Sequence, residues 1–180
     1  MPFATPLSDD VVLRDVTIDD AAALAEAYTR NRAHLQPWEP ARPDDFFTEA
    51  AQRRTLDVQL KQAATGHGVF LALASGGDVV GRLNLADIVR GVFQNGNIGY
   101  WIDAGLAGRG LMTRAVTALA EHARDDLGLH RLQAGTLPHN TASQAVLTRA
   151  GFERFGHAPR YLRISGEWQD HVLYQRILHD

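Results

Sequence analysis

Two groups of residues in this chain have the types and spacing to do chemistry. The first is Gly108-Arg109-Gly110 with Leu111, Met112 and Thr113 after it, set between the apolar stretch Tyr100-Trp101-Ile102 and a run of helical periodicity. Glycines let the backbone turn tightly and approach a ligand, and the first amides of a helix have no partner inside it. Free amides and the helix dipole together form an anion site, for which a phosphate or pyrophosphate is the natural occupant. The second group is Asn140-Thr141-Ala142-Ser143, in which an asparagine suited to cap a short helix precedes a hydroxyl by three residues.

Spacing separates the kinds of phosphate site. A P-loop requires lysine after its second glycine, where this chain has Leu111 after Gly110. A dinucleotide fingerprint requires a third glycine near the start of a βαβ unit, where this chain has Thr113, deep in the sequence and after a hairpin. A phosphate-binding turn of another kind, or a helix entered through glycines for packing alone, remains.

The elements that must position these residues follow from periodicity. Val11-Val12-Leu13 reads as a first strand, and a helix is predicted to open at Thr17 with Asp20 three places on and Leu24 and Tyr28 on its face. Pro37 and Pro40 leave Trp38 on a connecting segment. A second helix is predicted from Asp44 and Asp45 towards Thr65, ended by Gly66 and Gly68. Residues 69–73 and 79–85 read as an antiparallel hairpin about a turn at Ser75 to Asp78. Residues 86–96 read as a connection with turns at Gly91 and Asn95-Gly96, leading to a third strand, 97–102. Met112, Ala115, Val116, Leu119, Ala120 and Ala123 recur at helical steps before Gly128. A strand over 131–136, a helix over 140–150, and strands around 152–158 and 171–178 complete a mixed α/β order, with 1–180 as one domain.

Bulk properties exclude several classes. The chain has no cysteine, which removes disulfides, thiolate metal sites and a cysteine nucleophile. A net charge of −3 offers no cationic field to gather nucleic acid. The eight histidines show no metal spacing, so no metal is expected. Met1 to Asp10 lack a basic run and an apolar stretch, and no segment approaches the roughly 20 apolar residues of a membrane helix; a cytoplasmic protein without a membrane partner is the expectation.

With these residues in place the sequence resembles the GNAT superfamily of N-acetyltransferases, whose pyrophosphate loop carries Gln/Arg-x-x-Gly-x-Gly/Ala between a central strand and the main helix. Ala107-Gly108-Arg109-Gly110-Leu111-Met112 is the matching stretch; Ala107 stands in place of Gln/Arg and Met112 in place of the last small residue. Asn140-x-x-Ser143 with Gly151-Phe152 downstream resembles the family's later motif, and the combination with Tyr100-Trp101-Ile102-Asp103 is similar to the Rim-type subgroup, which acetylates N-terminal amines of ribosomal proteins. The resemblance implies a central, mostly antiparallel twisted sheet flanked by helices, acetyl-CoA as cosubstrate, and a homodimer. It implies coenzyme contacts at Trp101, Ile102, Ala107, Gly108, Arg109, Gly110, Leu111, Met112, Thr113, Asn140 and Ser143, and an oxyanion donor in the Ile102 amide, in a splay of the sheet.

Acetyl transfer also requires a neutral amine and a route for its proton. An N-terminal amine, with a pKa near 7.7 to 8.0, is neutralised far more easily than a lysine near 10.4. Between Arg131 and Asn140 there is no carboxylate where many family members carry a strand glutamate, so an already acidic amine, or a water relay to Glu167 or Asp170, is the expectation. The subgroup implies that Ser143 assists the leaving thiolate; a role at the helix start is the alternative for that residue. Trp38, Tyr161 and Trp168, read as lying on irregular segments, are candidates to wall the amine site, with core packing or a dimer contact as the other reading of each. A small-molecule amine, another acyl-CoA, or a non-catalytic coenzyme-A-binding module are the competing functions.

Overall fold

Alternating apolar residues through the middle of the chain can cover two faces of one sheet, and eight strands do so. The computed structural model describes residues 3–180. In chain order the strands are Ala4–Pro6 (β1), Val12–Asp15 (β2), Val69–Ser75 (β3), Asp78–Val89 (β4), Asn95–Ile102 (β5), Arg131–Thr136 (β6), Glu153–Ile164 (β7) and Glu167–Ile177 (β8). The helices are Ala21–Arg30 (α1), Arg32–Leu35 (α2), Glu49–Ala64 (α3), Leu111–Asp125 (α4) and Thr141–Arg149 (α5). The sheet order is β1-β2-β3-β4-β5-β6-β8-β7, and every pairing is antiparallel except β5 with β6.

The two faces carry separate cores. Leu71, Leu73, Leu83, Leu85 and Ile98 pack with Leu111, Met112, Ala115, Val116 and Leu119 of α4 and Leu147 of α5. Phe70, Ala72, Val79 and Trp101 pack on the other face with Leu24 and Ala27 of α1 and Leu56 of α3. Neighbouring strand residues point to opposite faces, which is why 70 and 72 join one core while 71 and 73 join the other.

Several boundaries differ from the sequence reading. Thr17 is followed by a 3-10 turn, Ile18–Asp20, before α1 begins, because the Asp20 carboxylate accepts from the Thr17 amide at 2.7 Å and pairs with Arg14 at 2.7 Å. The helix expected from Asp44 breaks at Thr48, whose extended backbone and side chain, accepting from Ala51 N at 3.3 Å, start α3 afresh. Phe46 and Phe47, in the 3-10 turn before that break, make an edge contact with each other, and Phe46 also packs on Tyr28.

The expected connection over 86–96 is mostly strand: β4 runs on to Val89 through a bulge and β5 starts at Asn95. Gly96 serves close packing, since a Cβ there would lie 2.5 Å from Leu85 Cδ1. The strands at the carboxyl end join into one long hairpin, so Tyr161 and Trp168 lie on strands, on β7 and β8, and not on irregular segments. Arg160 has a positive φ of 48° where the β7–β8 register shifts. The short strand β1 had no periodic signal of its own.

The junction of the two halves positions the site. β5 and β6 pair only over Asn95–Asn97 against Arg131–Gln133. Beyond Asn97 they separate, β6 continuing beside β8 and β5 beside β4.

Candidate active site

The free edge of β5 faces the gap. Asp103 N–H donates to Val80 O at 2.8 Å, so by the alternation of an antiparallel ladder Trp101 faces β4 while Tyr100 and Ile102 present their amides to the other side. With β6 gone from that edge, the Ile102 amide is directed into the splay. The Trp101 side chain is buried on the α1 side, where its Nε1–H donates to Tyr28 Oη at 3.0 Å and the two rings lie 5.0 Å apart. With its side chain buried beside α1 and its backbone turned to β4, Trp101 presents no group to the splay, contrary to the coenzyme contact expected there.

A clamp fixes the chain as it leaves β5. Asp103 Oδ2 accepts from Arg30 Nε at 2.8 Å and from Asn31 Nδ2 at 3.1 Å, its Oδ1 accepts from Gly105 N at 3.0 Å, and Asn31 Oδ1 accepts from Ala104 N at 3.0 Å. These bonds outweigh desolvation and hold the Asp103 carboxyl below the ordinary range. The end of α1 thereby sets the direction of the glycine turn. Asp103→Asn is expected to weaken acetyl-CoA binding about tenfold by isothermal titration, at the cost of one charged contact worth roughly 1.5–3 kcal/mol. In the wild-type chain the contribution of the ionised clamp is complete above the ordinary carboxylate value of about 3.9 and is lost as pH falls from there through the lowered folded value.

The turn itself is exposed from Ala107 to Gly110, whereas the Leu111 and Met112 side chains are buried in the core. Gly108 and Gly110 have φ of +78° and +74°, a region costly to most side chains. The first bond of α4 to its cap is Arg114 N–H to Gly110 O at 3.1 Å, so the amides of Leu111, Met112 and Thr113 point out of the helix end. Ala107 and Met112, the departures from the family motif, cost little in such a site, because it offers backbone rather than side chains. Arg109 and Arg114 add cations to the same end.

Across the splay, Asn140 caps α5 with its Oδ1, accepting from Ser143 N at 3.1 Å, which leaves its Nδ2 for other partners. Ser143 is half-buried, and its Oγ lies 2.9 Å from Tyr100 Oη, which is also 3.2 Å from the Ser143 carbonyl. Burial pushes the Tyr100 phenol up to about 12, so it remains a proton donor at ordinary pH. The sequence reading missed this partner; its signal was a tyrosine two residues before the oxyanion position on a strand whose alternate residues face α4.

The far end of the splay is closed by the segment between α2 and α3. Half-buried Trp38 lies against His139, 5.5 Å between ring centres, just before the Asn140 cap. Glu39 O accepts from Ser165 N at 3.0 Å, joining this segment to the tip of the β7–β8 hairpin. Tyr161 and Trp168 are exposed, with Tyr161 over His171 at 5.6 Å between ring centres. Glu167 is exposed at the hairpin tip, while Asp170 is already engaged by Arg160 N at 2.9 Å and His157 Nε2 at 3.3 Å. Neither carboxylate lines the cavity of about 130 Å³ bounded by Tyr28, Arg32, Leu35, Glu39, Phe47 and Ser165. Among the described residues no cluster of three potential metal ligands occurs, and no helix is long and apolar enough to cross a membrane.

Known proteins resemble this chain over most of its length. A family model described as an acetyltransferase (GNAT) domain matches residues 10–153. The ribosomal protein uS5-alanine N-acetyltransferase of Escherichia coli is 35% identical over 175 residues, covering 96% of this chain and 90% of that protein. The ribosomal-protein-S5-alanine acetyltransferase of Vibrio fischeri superposes with a TM-score of 0.94 at 30% identity, covering 99% of this chain and 98% of that one. RimJ of Mycobacterium smegmatis, solved in complex with CoA-disulfide, superposes with a TM-score of 0.89 at 30% identity over 98% of this chain and 86% of that one.

Proposed function

The chain belongs to the GNAT acetyltransferase family, and from that premise we propose that it carries an acetyl group from acetyl-CoA to the N-terminal amine of a ribosomal protein, by direct attack in a ternary complex. The acetyl-CoA-dependent N-acetyltransferase class comes with the family; the acceptor is our extension from the relatives. The observation that carries the reading is the convergence of three groups on the splay: the outward amides at the start of α4, the Ile102 amide on the free edge of β5, and the Tyr100–Ser143 pair.

The residues fit acetyl-CoA. The amides from Gly108 to Thr113, with Arg109 nearby, suit the pyrophosphate. Gly108 has no neighbour within 4 Å of where a Cβ would stand, which leaves the turn open to close approach. In this reading the Ile102 amide donates to the carbonyl oxygen as charge gathers on it, an interaction typically worth about 3 kcal/mol. Ser143 Oγ–H gives its proton to the departing sulfur, and Tyr100 O–H, donating to Ser143 Oγ, supports that transfer. Trp38 walls the amine site, and Tyr161 and Trp168 contact the acceptor chain beyond it. The whole chain, 1–180, acts as one domain in the cytoplasm. A homodimer is part of the same reading, supported by the exposed apolar residues Phe155 and Leu162 on the edge strand β7.

Release of free thiol from acetyl-CoA, measured with peptides matching ribosomal-protein N-termini beside free amino acids, polyamines and lysine peptides, tests the acceptor. Turnover confined to N-terminal peptides is expected. Turnover with small amines alone would replace the acceptor, and inertness across the panel would favour a coenzyme-binding module.

A further inference from the structure

The acetyl-transfer reading leaves the acceptor's proton without a destination, and the splay is closed by a carboxylate that the sequence did not single out. Glu39 lines a cavity of about 130 Å³ together with Tyr28, Arg32, Leu35, Phe47 and Ser165. Two contacts place this segment next to the splay: Trp38 packs on His139 beside the α5 cap, and Tyr28, on the cavity wall, accepts from the buried ring of Trp101, the residue before Ile102. The hairpin tip seals the third side through Ser165. A cavity of about 150 Å³ accommodates one benzene-sized molecule, so the space suits an α-amine with a small side chain.

The Glu39 side chain is only 19% exposed, and its one ionic neighbour, Arg42, lies at 3.7 Å, beyond hydrogen-bond length. The Arg42 guanidinium is instead stacked on Phe46 at 4.4 Å, and Arg32, over Phe47 at 4.3 Å, is paired with Asp44 at 2.7 Å. Both carboxylate oxygens thus retain acceptor capacity toward the cavity. Tyr28 faces Glu39 as a buried neutral phenol, and Arg82 lies behind Tyr28, engaged by Leu71 O, Gln59 and Asn84. Burial raises the Glu39 carboxyl above the ordinary glutamate range despite Arg42, which makes its ionised form a stronger base.

We propose that Glu39 receives the acceptor's ammonium in this cavity and takes the proton that must leave before the amine can attack; the proposal rests on the acetyl-transfer reading. One N–H proton passes to the carboxylate, the freed lone pair forms the N–C bond, and the C–S bond breaks. The amine's second proton leaves with the sulfur as thiol, through Ser143, and Glu39 returns its proton to solvent.

The test is Glu39→Gln, measured with an N-terminal peptide across pH, alongside acetyl-CoA affinity by titration calorimetry and thermal melting. At pH 7 kcat/KM is expected to fall about 100-fold, at the low end of what a general base contributes. The deficit should shrink about tenfold by pH 9, because above the amine's own pKa of about 8 no proton remains to be taken. Acetyl-CoA affinity and melting should be unchanged, and Glu39→Asp should recover part of the rate. A variant with wild-type kcat/KM at pH 7, a deficit independent of pH, or an equal loss of melting temperature or acetyl-CoA affinity overturns the proposal. So does a low-pH ionisation that survives in Glu39→Gln and disappears in His171→Gln, since buried His171, its Nδ1 held by Gln169 O at 3.0 Å, is the competing base beside β6. A wild-type chain that binds acetyl-CoA yet acetylates no amine overturns the acceptor reading and this one with it, whereas an active wild type with an equally active Glu39→Gln overturns this one alone.

Discussion

Gly110→Asp is expected to raise the dissociation constant for acetyl-CoA at least about 100-fold while leaving the melting temperature unchanged or higher. Gly110 caps α4 with φ of +74°, and aspartate and asparagine tolerate that region better than other side chains. A Cβ there would meet only the end of the Arg114 side chain, at 3.4 Å, which can give way. The fold therefore accepts the substitution, and a carboxylate near a helix start favours the helix. The same charge stands where the pyrophosphate is proposed to bind. Two like charges about 4 Å apart at an effective dielectric of about 20 repel by roughly 4 kcal/mol, and solvent at this exposed turn reduces that to the 100-fold stated. Gly110→Asn is the control, with similar backbone demands and no charge, and should weaken binding less than about tenfold. Calorimetry with acetyl-CoA and scanning fluorimetry on both variants read the two effects separately. Equal affinities for Asn and Asp would remove the anion from this end of α4.

Ser143→Ala is expected to lower kcat by about 10- to 100-fold, and Tyr100→Phe to reproduce most of that loss. The two hydroxyls are 2.9 Å apart, so the phenol orients the serine proton toward the space where the thiolate would depart. Residues acting as one unit are non-additive, and the double variant should be little worse than Ser143→Ala. The helix cap distinguishes this from a structural role: Asn140 Oδ1 accepts from the Ser143 backbone N–H, which alanine keeps, so melting should hold. With Tyr100 pushed up to about 12 and neutral over the working range, its ionisation should not enter the kcat profile below about pH 11. Additive losses, or a fall in melting that tracks the fall in kcat, would assign Ser143 to the helix start.

The strand end, glycine turn and helix start proposed to hold the coenzyme were legible in the sequence because they are contiguous and defined by backbone geometry. Tyr100 to Thr113 contains the strand end, the turn and the helix start in one run, and glycine spacing reports on backbone geometry directly. The acceptor half was not legible. Glu39 reads as an exposed residue between prolines, and only the hairpin tip at Ser165 and the wall at Tyr28 enclose it. Arg82 sits in an alternating strand pattern at a position that turns out to be buried, since Gln59 and Asn84 satisfy it. The expected single helix from Asp44 to Thr65 hides the break at Thr48, because Phe46 and Phe47 before it suit a helical turn as well as the 3-10 turn they form. Tyr161 and Trp168 fall outside the strands expected around 152–158 and 171–178, whereas β7 continues through Pro159 at a register shift and Gly166 forms the turn into β8.

The bond between Ser165 and Glu39 also divides the molecule by the distance along the chain over which each part must be assembled. The glycine turn before α4 forms from neighbours in sequence, whereas the cavity at Glu39 exists only once the last hairpin has closed on a segment near the amino end. Contacts of that kind form late and open early, at less than the cost of global unfolding. Amide hydrogen exchange should therefore be faster at Ser165 than within α4, and substitutions that remodel the proposed amine pocket can accumulate there while the start of α4 stays intact.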